Sequence, residues 1–187
     1  MQYVSGVLAI IILGNATACS ADLEQQATDS RAVAKEFAEE LKGELVAALQ
    51  SGGPIAAVAV CNTRAPQIAA QASERTGWQV GRTSLKLRNP ANAPDAWERA
   101  VLEDFEKRKA AGEDPQTLEY YSVVEQGGKQ QFRYMKAIPT GEVCLTCHGS
   151  SLQPELVEKL DALYPQDKAR DFKAGDIRGA FTIIGPM

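Results

Sequence analysis

Two thiols and an imidazole fall within one short stretch of the chain, Cys144-Leu-Thr-Cys147-His148. With two residues between the cysteines, one helical turn presents both sulfurs on the same side, and the imidazole follows directly. This is the spacing of c-type haem attachment: each S–H adds across a porphyrin vinyl group and the histidine ligates the iron. A bare pair of cysteines at this spacing also suits a dithiol redox site or half of a zinc site. A zinc site would recruit Cys61 to complete a Cys3His set with Cys144, Cys147 and His148, an unusual layout with one ligand far along the chain from three crowded ones. A thiol oxidoreductase would use Cys144 and Cys147 alone. The histidine after the second cysteine, on a chain with signs of export, favours haem c.

His148 is the single histidine of the sequence, so a second axial ligand must be something else. Sulfur remains, from Cys61, Met135 or Met187. Cys61 shares a helical stripe with Ala57, Val58, Ala65 and Ile68, small neighbours that permit close contact with a porphyrin face. Its blander reading is a buried thiol acting as a small hydrophobe. Met135 lies in a predicted strand shortly before Cys144, and Met187 is the last residue. Arg82 and Arg88 bracket a predicted strand and are candidates for the haem propionates, because guanidinium forks match carboxylates.

The elements that must position these groups follow from the hydrophobic pattern. Val33, Phe37, Leu41, Leu45 and Leu49 recur every four residues and predict a helix from Asp22 to Gln50, with Glu36, Glu39, Glu40 and Lys42 on its other face. Ser51-Gly-Gly-Pro54 ends it and starts a second helical segment to Glu74, broken near Thr63 to Ala65 by Pro66. Trp78 to Leu87 reads as a strand. The turn cluster Arg88 to Pro94 leads to a helix from about Asp95 to Ala110, with Trp97, Val101 and Phe105 on one face. Trp78 and Trp97 read as core residues rather than electron relays. Leu118 to Glu125 and Lys129 to Ile138 flank Gln126-Gly-Gly128, a hairpin signal. A helix from Pro154 to Leu163 and a β-branched strand from Ile177 to Ile184 complete the pattern of an α+β domain.

Residues 1–18 carry no charge, and Val7 to Leu13 form an apolar core too short to span a bilayer. The segment reads as a signal peptide lacking its usual basic start, with Ala16-Thr-Ala18 as the cleavage site. Cys19 behind it is a candidate lipid-bearing residue, which would tether the protein to a membrane. The expected layout is therefore a leader over 1–18, an N-terminal linker over 19–29 and a haem domain over 30–187, placed in the periplasm or cell envelope. A formal net charge of −4 gives no basic footprint for nucleic acid.

Four motifs in order, AVAVCNTRAP, GRTSLKLRNPANAPDAWE, CLTCHG and GDIRGAFT, resemble a family of bacterial single-haem domains with a PAS-like fold. That family occurs as small exported proteins and as the sensory part of membrane-bound signalling proteins. The resemblance covers roughly residues 30 to 187. It implies a five-stranded antiparallel sheet with flanking helices around one covalent haem, attached at Cys144 and Cys147 and ligated by His148 and Cys61. Thiolate ligation stabilises ferric iron and lowers the potential. The expected function is a redox or small-ligand sensor, with a periplasmic electron-transfer cytochrome c as the alternative. Catalytic turnover is not expected, since six-coordinate iron leaves no open position and no second set of acid–base residues stands near the motif. The implied partners are the cytochrome c maturation machinery and a redox partner whose identity the sequence does not carry.

Overall fold

A computed structural model describes residues 15–187, with side chains from Ala21 onward. The apolar core of the leader and the Cys19 thiol lie outside the described residues. Helix α1 spans Asn15–Ala59 and is broken at Gly53, whose positive φ of 67° is a conformation open to glycine. Pro54 restarts the helix in its favoured first-turn position. A five-residue π-helical turn, Val60–Arg64, joins α1 to α2 (Ala65–Thr76). Strand β1 (Gln79–Thr83), a short 3-10 turn (Pro90–Asn92) and α3 (Ala96–Ala110) follow. The β2 (Glu119–Gln126) and β3 (Lys129–Pro139) hairpin, α4 (Glu142–His148), α5 (Pro154–Leu163) and β4 (Ile177–Pro186) complete the chain.

Segment 19–29, expected as a linker, belongs to α1 from the start. Leu23 packs against the core and Ala27 is fully buried, extending the helical stripe of Val33 and Phe37 towards the N-terminus. Arg31 then ties this end to the sheet through Glu119 at 2.7 Å. An apolar window in the α1–α2 run is long enough to cross a membrane by length and composition. In this run Ala57, Val58 and Val60 are buried in the core and Leu45 and Leu49 line the cavity described below, while Ile55 is exposed.

The four strands form one antiparallel sheet in the order β1-β4-β3-β2. The five strands expected from the resemblance are thus four among the described residues. After Thr83 the Ser84 hydroxyl bonds the Arg178 carbonyl at 2.8 Å and turns the chain out of the ladder. Pro90 and Pro94 follow, and neither has an N–H to give a further strand. The same turn makes β1 shorter than the predicted Trp78 to Leu87.

Alternation along β3 sends Phe132 and Tyr134 to one face and Met135 and Ala137 to the other. On the first face Phe132, Tyr134, Phe181 and Ile183 pack against Val33, Phe37, Ile68 and Ala72 of α1 and α2. On the second, Met135, Ala137 and Ala180 pack against Val101, Leu102 and Phe105 of α3. Helix α3 starts in a capping box between Asp95 and Glu98. Trp78 packs against the first cluster and Trp97 against the second; neither lines the cavity. A third cluster, Val58, Leu156, Leu160 and Tyr164, carries Cys147 at its margin and so pins the motif helix to α1 and α5.

Candidate functional site: a thiol–histidine helix on a cationic cavity

Helix α4 is the motif itself. Gly141 is its N-cap, and the Gly149 amide closes the last turn on the Leu145 carbonyl at 2.9 Å. A Cβ at position 149 would come within 2.7 Å of that carbonyl oxygen, so the residue after His148 must be glycine for the turn to close. Cys144 and Cys147 stand three apart and His148 four from Cys144, which places all three on one helical face. That face lines a cavity of about 690 Å³ between α1, α4 and the first face of the sheet.

The six residues assigned to the haem and its propionates reach this cavity: Cys61, Arg82, Arg88, Cys144, Cys147 and His148 all line it. The fallback sulfurs do not. Met135 is fully buried on the opposite face of the sheet and Met187 is exposed at the surface. Among the described residues no group of three or more His, Cys, Asp or Glu is close enough to hold a metal ion, so Cys61 and the motif do not gather into a tetrahedral zinc set. The three described cysteines are free thiols.

A second layer fixes His148. Its Nδ1 lies 2.8 Å from the Ala169 carbonyl, which selects the tautomer with a proton on Nδ1 and leaves Nε2 as the acceptor facing the cavity. Burial, joined by the charges of Arg178 and Arg88, holds the imidazole well below its usual range and keeps it neutral. The Phe172 ring packs edge-on at 6.1 Å. Burial also pushes the Cys147 thiol up, with Arg88 opposing it. A reactive dithiol needs the reverse, so the oxidoreductase reading loses ground.

The arginines divide into two kinds. Arg88 already has its carboxylate: it meets Asp167 at 3.1 Å and donates to the carbonyls of Cys147 at 2.6 Å and Ala169 at 3.1 Å. These contacts tie the end of α4 to the 167–172 loop, while Arg88 also lines the cavity. Burial works to raise the Asp167 carboxyl, yet hydrogen bonds from Arg88 and the Ala169 amide outweigh it and hold the group below its usual range. Arg82 has no carboxylate within salt-bridge distance among the described residues; its guanidinium lies 5.7 Å from the centroid of the Phe37 ring. Burial lowers its pKa, and the nearby Cys61 and Tyr164 act in the opposite direction.

Three cavity residues escaped the sequence reading. Arg178 donates from Nε to His148 Nε2 at 3.3 Å and from Nη1 to Ser84 at 3.2 Å; burial and the charges of Arg88 and Arg82 push its guanidinium down to about 10. Lys136 lies on the same sheet face, and Tyr164 is buried beside Cys61. The signal for Arg178 was present in GDIRGAFT, a charged residue interrupting a β-branched strand. Asp167 and Ala169 carried no sequence signal, since their role arises only when the loop folds back on α4.

Fold and site together define an α+β domain that encloses a cationic, thiol-and-histidine-lined cavity against one face of an antiparallel sheet. The chain belongs to the Tll0287-like family, whose model matches residues 17–186. It is similar to the solved structure of the cyanobacterial heme-protein Tll0287, with a TM-score of 0.66 and 22% identity over 87% of this chain and 96% of that one. At that identity the likeness shows the fold. No curated protein matches the chain.

Proposed function

We propose that this chain is an exported single-haem c-type protein, with the haem held covalently by Cys144 and Cys147 and its iron bound by His148 and Cys61. The observation that carries this reading is that Cys61, far along the chain from the motif, lines one cavity of about 690 Å³ together with Cys144, Cys147 and His148. That volume is within the roughly 300–1,000 Å³ of cofactor sites. The residues present fit the group. The thiols stand on one face of α4, and His148 offers an oriented Nε2 lone pair from a neutral ring. Arg82 and Lys136 supply half-buried positive charge on the cavity wall without a salt-bridge partner among the described residues, which suits the two carboxylates of a haem. The likeness to a protein described as a heme-protein points the same way.

The bound group would supply one-electron exchange at iron and, if one axial side chain let go, a site for a small ligand. What the protein contributes is its ligand set and their shell. Cys61 as thiolate donates electron density and favours the ferric state, giving a low potential. The Ala169 carbonyl strengthens His148 as a donor through Nδ1. A ligand set that holds both axial positions suits a redox or small-ligand sensor with a PAS-like domain rather than an enzyme. The uncharged leader supports a periplasmic or envelope location, with Cys19 as an optional lipid tether. Cytochrome c maturation machinery would be the partner in assembly.

Protein made alongside a cytochrome c maturation system should show a Soret band and low-spin ferric signals of thiolate type. Cys61→Ala should turn the ferric spectrum high-spin or water-ligated and raise the potential. An unchanged low-spin spectrum in that variant would remove Cys61 from the iron.

A further inference from the structure

The buried row of the α1–α2 run keeps helical spacing at Val58, Ala65, Ile68 and Ala72 but gains Val60, which an unbroken α-helix would turn away from that row. Ala57, Val58 and Val60 are buried before the joint, and Ala65, Ile68 and Ala72 after it. The step from Val60 to Ala65 is five residues, and the Ala65 amide donates to the Val60 carbonyl across it. Pro66 accounts for the irregularity: it has no N–H for the Asn62 carbonyl, and its ring crowds that same group. One extra residue is thereby accommodated, as in the π-bulges that recur at functional sites.

The consequence falls on Cys61. In an unbroken α-helix the row Val58, Cys61, Ala65, Ile68 would put the thiol in the middle of the packed stripe. The π turn takes it out of that row and leaves it half-buried on the cavity wall, while the apolar residues on both sides stay docked. The turn is clamped from outside, since Arg64 Nε donates to Glu44 of α1 at 2.7 Å. Thr63, within the turn, is exposed.

We propose that the Val60–Arg64 π turn is the positioning element for Cys61, the extra residue rotating the thiol into the cavity without undocking either flanking helix. This rests on Cys61 as an iron ligand and adds what places it there. By linkage, whatever Cys61 gains by binding iron also holds the turn in its π form.

The test is made on haem-loaded protein. Deleting Thr63 removes the extra residue and returns the joint to α-helical register. The deletion variant should keep one covalent haem by mass and lose the thiolate-type ferric signal, as Cys61→Ala does. Retention of that signal at its original intensity overturns the proposal. An unaltered spectrum in Cys61→Ala, by contrast, fails the ligand assignment itself, so the two failures are distinct. A variant that does not fold leaves a second measurement in folded protein. Amide exchange at Val60–Ala65 should be about tenfold faster in Cys61→Ala than in the unaltered protein, with α3 unchanged. Equal exchange in the two proteins overturns the proposal.

Discussion

The two faces of the sheet solve opposite problems with strands they share. On the α3 face, Leu102, Phe105, Met135 and Ala180 are at most 1% exposed and apolar. On the α1 face the same strands carry Phe132 and Ile183 at one end, then give way to Lys136, Arg82 and a cavity lined by Leu41, Leu45 and Leu49. Alternation along each strand lets one chain write both faces at once. The α3 face is filled largely by protein side chains and holds its buried Arg133 against Asp95 at 2.6 Å. The other leaves half-buried leucines around a cavity with Arg82 and Lys136 free of ion-pair partners among the described residues, which suits the haem proposed for it.

The largest effect expected on this contrast comes from the shell that holds α4. Asp167→Asn leaves Arg88 buried without its carboxylate and should cost about 3–5 kcal/mol in denaturant melts. A loss below about 1 kcal/mol would mean that the pair contributes little to fixing the motif helix.

Next comes a direct comparison of the faces. Leu102→Ala should cost about 2–5 kcal/mol whether or not cofactor is present, as a core truncation does. Leu45→Ala should cost under about 1 kcal/mol in cofactor-free protein and more in loaded protein, because its contacts are with the cavity. Equal losses in the two cofactor-free variants would erase the distinction between the faces.

The arginines sharpen it with a sign. Arg82→Met removes a desolvated charge that has no carboxylate, so cofactor-free protein should gain on the order of 1 kcal/mol. Loaded protein should lose stability in the same variant, as a propionate contact disappears. Destabilisation of both forms by the same amount would assign Arg82 to packing alone.

The smallest effect is with pH. The folded Asp167 carboxyl titrates below its unfolded value of about 3.9, so its contribution is present above that pH and is lost as pH falls towards the folded value. Melts at pH 7, 5 and 3 should show a steeper loss below pH 4 for the unaltered protein than for Asp167→Asn. Parallel curves would exclude Asp167 as a contributor.

What the sequence made legible was whatever a local pattern decides. Helix α5 starts at Pro154 and stops at Leu163 as expected, and α3 begins beside Asp95, where the Arg88 to Pro94 turn cluster puts its start. Helix α4 with its two thiols and histidine was readable because a spacing carries the chemistry. Cys61 was found on a different ground, the resemblance together with the shortage of sulfur donors, and its true orientation was not readable. A helical wheel puts it in the buried row, whereas Pro66 inserts a π turn and sends it to the cavity. The pairing of Arg88 with Asp167 was not readable, because the two meet only after the chain returns from α5. The end of β1 at Thr83 has a similar origin, since the Ser84 hydroxyl bonds the Arg178 carbonyl through a tertiary contact that propensity does not record.

The central claim is that the α1 face closes around a haem fixed to the chain by Cys144 and Cys147, and intact mass after acid–acetone extraction tests it most directly. Protein produced with a cytochrome c maturation system should retain the mass of one haem above the processed polypeptide, and Cys144→Ser with Cys147→Ser should abolish the increment. The bare polypeptide mass in the unaltered protein, with its pigment extracted or absent, would contradict the account.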